Sequence, residues 1–337
     1  MAEGLRAIVL VGGEGTRLRP LTLTRPKPML PIAGIAIIER KLRHLAEHGI
    51  TEAVLSLGYK PDAFLRAFPE GRVAGVRLIY AIEPTPLDTA GAVRFAADQA
   101  GYRPDDGDDS PIVVVNGDVL TELDLTSQLA FHRSCGAEAT IALTQVEDPS
   151  AFGVVPTDAD QRVIDFVEKP PREEAPTDWI NAGAYVLAPR VLARIPVGER
   201  VSIERATFPL IVAAGGLFAV HSPAYWIDAG IPATYLQANL DALAAGVAWV
   251  GEDARVLGEV IESVIGAGAV VESGAVVEHS VLLPGVVVSA GAVVRDSMIG
   301  EGAVIGIGAS LSALTVVGDR GQVDPGVALV AGRVTTG

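Results

Sequence analysis

Residues 7–31, AIVLVGGEGTRLRPLTLTRPKPMLP, decide the reading of this chain. The apolar run Ala7-Ile8-Val9-Leu10-Val11, bounded by glycine, reads as a buried strand. It opens into Gly12, Gly13 and Gly15, a turn so bare that another molecule can approach its amides, and such a turn suits an anion. Arg17, Arg19, Arg25 and Lys27 follow directly, in a chain with 26 basic residues against 41 acidic ones. A dehydrated polyphosphate needs fixed positive charge as well as amide donors, and this cluster offers it. Neither common nucleotide fingerprint is present: the Walker loop G-x-x-x-x-G-K-[ST] is absent, and Leu18 stands where a dinucleotide fingerprint needs its third glycine.

The formal charge of −15 works against nucleic acid and anionic membrane partners, which need a concentrated basic face. A small phosphorylated substrate remains compatible, because a local basic site can hold it against the global sign. With 49% hydrophobic and 20% charged residues the chain is globular, and 337 residues allow two domains and a large core. No apolar run reaches the ~18 residues of a membrane span, and the apolar stretch near the N-terminus is too short for a signal peptide. The single cysteine, Cys135, excludes an internal disulfide and agrees with a reducing compartment. A soluble, cytoplasmic protein is expected.

Up to residue 240, strand-like runs at 7–11, 53–57, 76–80, 112–115 and 140–143 alternate with helical patterns at 35–48, 61–67, 89–100 and 125–134. This predicts an α/β domain with a Rossmann-like, mostly parallel sheet and ligands at the carboxyl ends of its strands. Both Gly12–Gly15 and Asn116-Gly117-Asp118 follow such strands. Residues 241–255 read as a linker, and from 256 to 337 a six-residue period sets in. Its apolar positions are Ile265, Val271, Val277, Leu283, then Val288 and Val294, then Ile299, Ile305, Leu311 and Val317. The period is the hexapeptide signature of a β-helix, similar to the left-handed form, with room for about four coils. So short a solenoid usually needs capping or a partner surface, so a homo-oligomer is expected.

The stretch Gly13-Glu14-Gly15-Thr16-Arg17-Leu18-Arg19-Pro20-Leu21-Thr22, followed by Lys27-Pro28-Met29-Leu30-Pro31, closely resembles the signature of the sugar-nucleotide pyrophosphorylases, or sugar-1-phosphate nucleotidyltransferases. The resemblance continues through Asn116-Gly117-Asp118, Phe152-Gly153-Val154-Val155, Phe166-Val167-Glu168-Lys169-Pro170, Asn181-Ala182-Gly183 and Trp226-Ile227-Asp228-Ala229-Gly230. It implies attack by a sugar-1-phosphate oxygen on the α-phosphorus of a nucleoside triphosphate, assisted by Mg2+, with pyrophosphate leaving. It also implies roles: Arg17 and Lys27 on the phosphates, Asp118 and Asp228 on the metal, and Lys169 on the sugar phosphate. Glu168, Asn181, Gly153 and Gly183 would line the sugar. Val11, Gly12, Gly13, Gly15, Thr16, Glu83, Pro86, Asp88, Thr89 and Gly117 would surround the nucleotide.

Residues 83–91, Glu-Pro-Thr-Pro-Leu-Asp-Thr-Ala-Gly, bear on the base. Thymidylyl- and uridylyltransferases of the family typically carry glutamine where Glu83 lies, an amide that both donates to and accepts from a pyrimidine edge. Guanine presents two adjacent donors, and an ionised carboxylate accepts both, so Glu83 favours GTP. The segment resembles that of the guanylyltransferases, with Asp88 in place of the usual glycine. Their familiar acceptor is mannose-1-phosphate, which makes it the leading one here. The competing readings are a glucose-1-phosphate thymidylyl- or adenylyltransferase, and a catalytically silent regulatory relative; the latter would have no reason to keep Arg17, Lys27, Asp118, Lys169 and Asp228.

Three further patterns carry blander readings. His44-Leu45-Ala46-Glu47-His48 spells a zinc-protease motif, but Ile38, Leu42, Leu45 and Ala46 form an apolar helix face and the histidines fall with Lys41 on the opposite, polar one. Asp105-Asp106-Gly107-Asp108-Asp109 invites calcium but has no EF-hand spacing. His279 is the only histidine in the repeat region and leaves little basis for acyl transfer, so that region reads as structural or regulatory.

Overall fold

In the computed structural model, residues 5–103 and 109–335 are described, so four residues of the acidic Asp105–Asp109 loop lie outside them. The chain divides into two compact units: residues up to Gly12 with Glu39–Trp226, and Gly13–Ile38 with the chain from Ile227 onward.

The first unit is built on one mixed sheet. Its main strands are β1 (Leu5–Val11), β2 (Ile50–Leu57), β3 (Val76–Ile82), β4 (Ile112–Asn116), β5 (Ala139–Gln145), β6 (Trp179–Leu187) and β7 (Leu217–His221). They lie in the order β7-β5-β6-β4-β1-β2-β3. Strands β4, β1, β2 and β3 are parallel, β6 runs antiparallel to both its neighbours, and β7 is parallel to β5. Ala7, Ile8 and Val9 are all fully buried, as strands covered on both faces must be, which explains an apolar run in place of an alternation.

The helices fall where the 3.6-residue period places them: α1 (Ile37–Glu47), α2 (Pro61–Ala67), α3 (Asp88–Gln99) and α4 (Leu125–Cys135), joined by the short α5 (Phe208–Ala213). Helix α3 packs on β1–β3 through Ala90, Val93, Ala96 and Ala97, small residues that let helix and sheet approach closely. Helix α4 starts at Asp124, whose carboxylate accepts the Ser127 N–H at 2.9 Å, and stops at Gly136 in the left-handed conformation.

The second unit holds the segment Gly13–Ile38, α6 (Pro232–Asp241) and the solenoid. Three parallel sheets of two- and three-residue strands form its faces, consistent with the expected left-handed β-helix. Partner strands are 17 residues apart from Val264 to Val281 to Met298, and 18 from Met298 to Val316. A 17-residue coil has two steps of six and one of five, the source of the broken hexapeptide period. Two expectations are corrected. The inward residue after Val277 is Leu282, which joins the solenoid core, and not Leu283; the five-residue step falls one position earlier than the period suggests. One face carries six strands, beginning at Trp249–Val250, so the coil makes five steps in place of about four.

Three of the coil steps repeat a polar detail at one corner, and the 18-residue step from Ser297 to Thr315 does not, since the Thr315 N–H donates to Ser312 O. Ser263 Oγ accepts the Ser280 N–H at 3.0 Å, Ser280 Oγ accepts the Ser297 N–H at 3.1 Å, and Thr315 Oγ1 accepts the Gly332 N–H at 3.0 Å. These buried hydroxyls supply partners for backbone groups that leave the sheet ladder as the chain turns. His279 sits at such a corner with a positive φ of 44°, 3.2 Å from Glu262.

Candidate active site

In the first unit, the turns after β1 and β4 meet. Leu10 and Asn116 are register partners, and the Gly117 N–H donates to Leu10 O at 2.9 Å. A Cβ on Gly117 would lie 2.2 Å from Val11 Cγ1, so only glycine lets Asp118 follow so tightly on the end of β1. Lys41, expected on a polar helix face, is instead buried. Burial pulls its pKa down to about 8, with the opposing charge of Asp118 raising it. A nearby carboxylate is what makes a lysine tolerable there.

Glu83 sits beside the start of the glycine turn: a Cβ on Gly12 would be 3.5 Å from its Oε1. Ser56 Oγ donates to Oε1 at 3.0 Å and the Leu87 N–H to Oε2 at 3.1 Å. An ionised carboxylate has about four acceptor positions, so two remain for a ligand while these two fix its plane. Asp88 has φ 60°, which accounts for the glycine usual in the resembling sequences, and aspartate is among the few side chains that adopt this region readily. Its carboxylate accepts the N–H of Thr89 at 2.8 Å and lies 3.9 Å from Arg200. The Thr89 hydroxyl is turned inward, donating to Glu204 at 2.8 Å and accepting from the Ile203 N–H at 2.7 Å. Pro86 is exposed on the connecting turn.

The five residues expected at the sugar phosphate come together, four on neighbouring strands and Lys169 directly after one. Gly153 pairs with Glu168, and Val154 with Ile180 on β6. Lys169 has φ 52° and its Nζ is 3.1 Å from Glu168. Asn181 donates to Tyr185 Oη and accepts the Gly183 N–H, both at 2.9 Å. Gly183 has φ 72°, and a Cβ there would meet Asn116 Nδ2 at 2.5 Å; the β5–β6 register slips at this point. Trp226 Nε1 donates to Ala182 O at 2.9 Å, and its ring stands edge-on to Phe152.

The second unit contains a charged triad. Lys27 Nζ donates to Asp228 Oδ1 at 2.7 Å, and Arg17 Nη2 is 3.8 Å from Asp228 Oδ2. The Lys27 side chain is 5% exposed, against 67% for Arg17, so one cation is fixed and the other faces solvent. Gly15, with φ 62°, would place a Cβ 3.0 Å from Lys27 Cβ, so the glycine turn rests on the lysine stem. Gly13 and Thr16 are exposed beside it.

The model named "Nucleotidyl transferase" matches residues 6–245, and one named "GMPPB C-terminal domain" matches residues 243–336. The chain belongs to the nucleotidyl transferase family. It is 42% identical over 273 residues to the "Mannose-1-phosphate guanylyltransferase" of Mycobacterium tuberculosis, covering 80% of this chain and 72% of that one. It is 40% identical over 296 residues to the "Probable mannose-1-phosphate guanylyltransferase 1" of Oryza sativa, covering 83% and 80%. Among solved structures it resembles HddC from Yersinia pseudotuberculosis complexed with GMP-PN, with a TM-score of 0.59 and 29% identity over 70% of this chain and 99% of that one. Members of this family generally use a divalent metal. Among the described residues no helix is long and apolar enough to cross a membrane.

Several residues beside these candidate groups of the nucleotidyl transferase were not singled out in the sequence. Ser56 is a strand residue with no local motif. Gly230 has the triad packed around it: a Cβ there would lie 2.8 Å from both Arg17 Nη2 and Asp228 Oδ1. Tyr185 is buried, and burial first, then the charge of Glu204, lift its pKa well above the ordinary value, so it stays a neutral donor. Only Gly230, inside a quoted motif string, had a signal that could have found it.

Proposed function

We propose that this protein transfers a guanylyl group from GTP to mannose-1-phosphate, giving GDP-mannose and pyrophosphate. The observation that carries the base assignment is Glu83, a carboxylate beside Gly12 whose plane Ser56 and Leu87 fix while two acceptor positions remain. The names of the relatives support the sugar.

The sugar phosphate is already an anion, so no protein nucleophile is required, and rate comes from alignment and charge neutralisation. Arg17 and the amides of the Gly12–Thr16 turn would take the β- and γ-phosphates, and Lys27 the charge that develops on transfer. Gly117 would leave room for the nucleotide, and the 83–89 turn, with Pro86, Asp88 and Thr89, would flank its base. Lys169 would hold the acceptor phosphate, while Glu168 and Asn181 take sugar hydroxyls above the bare backbone of Gly153 and Gly183. Asp118 and Asp228 are each assigned to Mg2+. One or two carboxylates suit an ion whose other positions go to water and phosphate oxygens, and the ion would polarise the α-phosphate and steady the leaving pyrophosphate.

The test is pyrophosphate release by purified protein with magnesium, crossing GTP, dTTP, UTP, ATP and CTP with mannose-, glucose- and N-acetylglucosamine-1-phosphate. We expect release to require GTP with mannose-1-phosphate and to stop when the metal is chelated. A different preferred pair overturns the specificity, and silence of folded protein across the grid overturns the activity. Cytoplasmic residence is proposed from the lone Cys135. Self-association is proposed from the shortness of the solenoid and is read by light scattering.

A further inference from the structure

The chain between the glycine turn and α1 carries Lys27, and residues far along the sequence hold it. Pro20 rests on Gly318, where a Cβ would come within 3.0 Å of its ring. Tyr235 Oη donates to Pro31 O at 2.7 Å, and the Ala33 N–H donates to Asn239 Oδ1 at 3.0 Å. The contact nearest Lys27 is ionic. Arg25 Nη2 donates to Asp319 Oδ2 at 2.9 Å and also bonds Glu301, while the Thr24 hydroxyl bonds the same Asp319 oxygen. Asp319 Oδ1 accepts the Glu301 N–H at 2.8 Å, so one carboxylate ties two coils of the solenoid together and grips the Lys27 segment with its other oxygen. The Asp319 side chain is 9% exposed and that of Arg25 22%, so the pair is shielded far better than a surface bridge.

We infer that Asp319 is a positioning residue for Lys27, acting through Arg25. Between the two stands Pro26, whose ring fixes φ and removes one backbone freedom, and Lys27 opens a one-turn helix directly behind it. A displacement of Arg25 therefore reaches Lys27 with little loss and disturbs the 2.7 Å bond of Lys27 Nζ to Asp228. The solenoid then has a part in the transfer reaction, by setting where this ammonium stands. This rests on the proposed role of Lys27.

Asp319→Asn and Arg25→Met, singly and together, are compared with the unaltered protein in two assays. The first is the rate at which an amine-selective acylating reagent labels Lys27, read by mass spectrometry with thermal melting as the check on folding. The second is kcat and KM for GTP and mannose-1-phosphate. Labelling should rise about tenfold and kcat should fall about tenfold in either single variant, with the double variant losing clearly less than the two losses combined, because the Arg25–Asp319 bond is common to both. Glu301→Gln, which leaves Asp319 on Arg25, should have a smaller effect and serves if Asp319→Asn does not fold. Unchanged Lys27 labelling overturns the inference whatever the activity, as do additive losses in the double variant or faster labelling with unaltered kcat. If the unaltered protein turns over no substrate pair, the proposed function fails by itself, since labelling is read without turnover.

Discussion

Lys27 Nζ and Asp228 Oδ1 stand 2.7 Å apart although 201 positions separate them in the chain. Each sits within a short motif, yet neither motif says that the two charges meet. Asp228→Asn keeps the volume and removes the charge that faces a nearly buried ammonium. It should cost about 1–3 kcal/mol of stability and lower kcat by ~100-fold or more. Urea unfolding and pyrophosphate release measure the two effects; near-normal turnover would sink the role assigned to Asp228.

Gly230→Ala tests the geometry of the triad without touching a charge. Its methyl would lie 2.8 Å from both Arg17 Nη2 and Asp228 Oδ1, so the ions must part. A displacement of about 1 Å can cost up to ~100-fold in rate, and we expect kcat to fall by at least about tenfold. Unaltered kcat would mean that the Arg17–Asp228 spacing is irrelevant to turnover.

Glu83→Gln should move preference from GTP toward dTTP or UTP. The amide oxygen can keep the Leu87 N–H while the amide nitrogen donates to Ser56, so the side chain is held as before with one acceptor exchanged for a donor. Ser56→Ala should raise KM for GTP severalfold and leave kcat near its original value, because it loosens only the carboxylate. Competition between triphosphates reads the first, and an unchanged preference would refute the base assignment.

His132 and His44 set an acid limit on stability. Burial, reinforced by Arg190 and Arg133 around His132 and by Lys41 and His48 around His44, lowers both to about 4. The unfolded chain, near 6.5, binds more protons between about pH 4 and 6.5. Stability is therefore full above about pH 6.5 and falls as the pH drops toward 4. The urea midpoint should decline between about pH 7 and 5, and His132→Leu should flatten that decline; an equal slope in the variant would remove His132 from the cause.

Much of the fold was readable because its signals are local. The strands around 7–11, 53–57, 112–115 and 140–143 are runs that suit a sheet buried on both faces, the one at 76–80 keeps Arg77 exposed, and α1 to α4 carry their own period and stops. The solenoid repeats so often that its faces could be counted, and the misplaced Leu283 shows the limit. Leu282 and Leu283 are equally apolar neighbours, and only the turn of the backbone at the corner decides which points inward. Lys41 shows the same limit on a helix: its charge assigns it to the solvent face, but Asp118, 77 positions away, makes burial tolerable.

The sequence by itself determined the two architectures, the bare glycine turn after β1, and the family, because each is written in contiguous residues or in a fixed period. Tertiary structure alone decided which polar and charged groups face one another: Ser56 on Glu83, Lys27 on Asp228, Arg25 on Asp319. These pairs carry no spacing rule. Their partners are joined by strand order and by coil stacking, and an ionic contact between distant segments leaves no trace in either segment read alone.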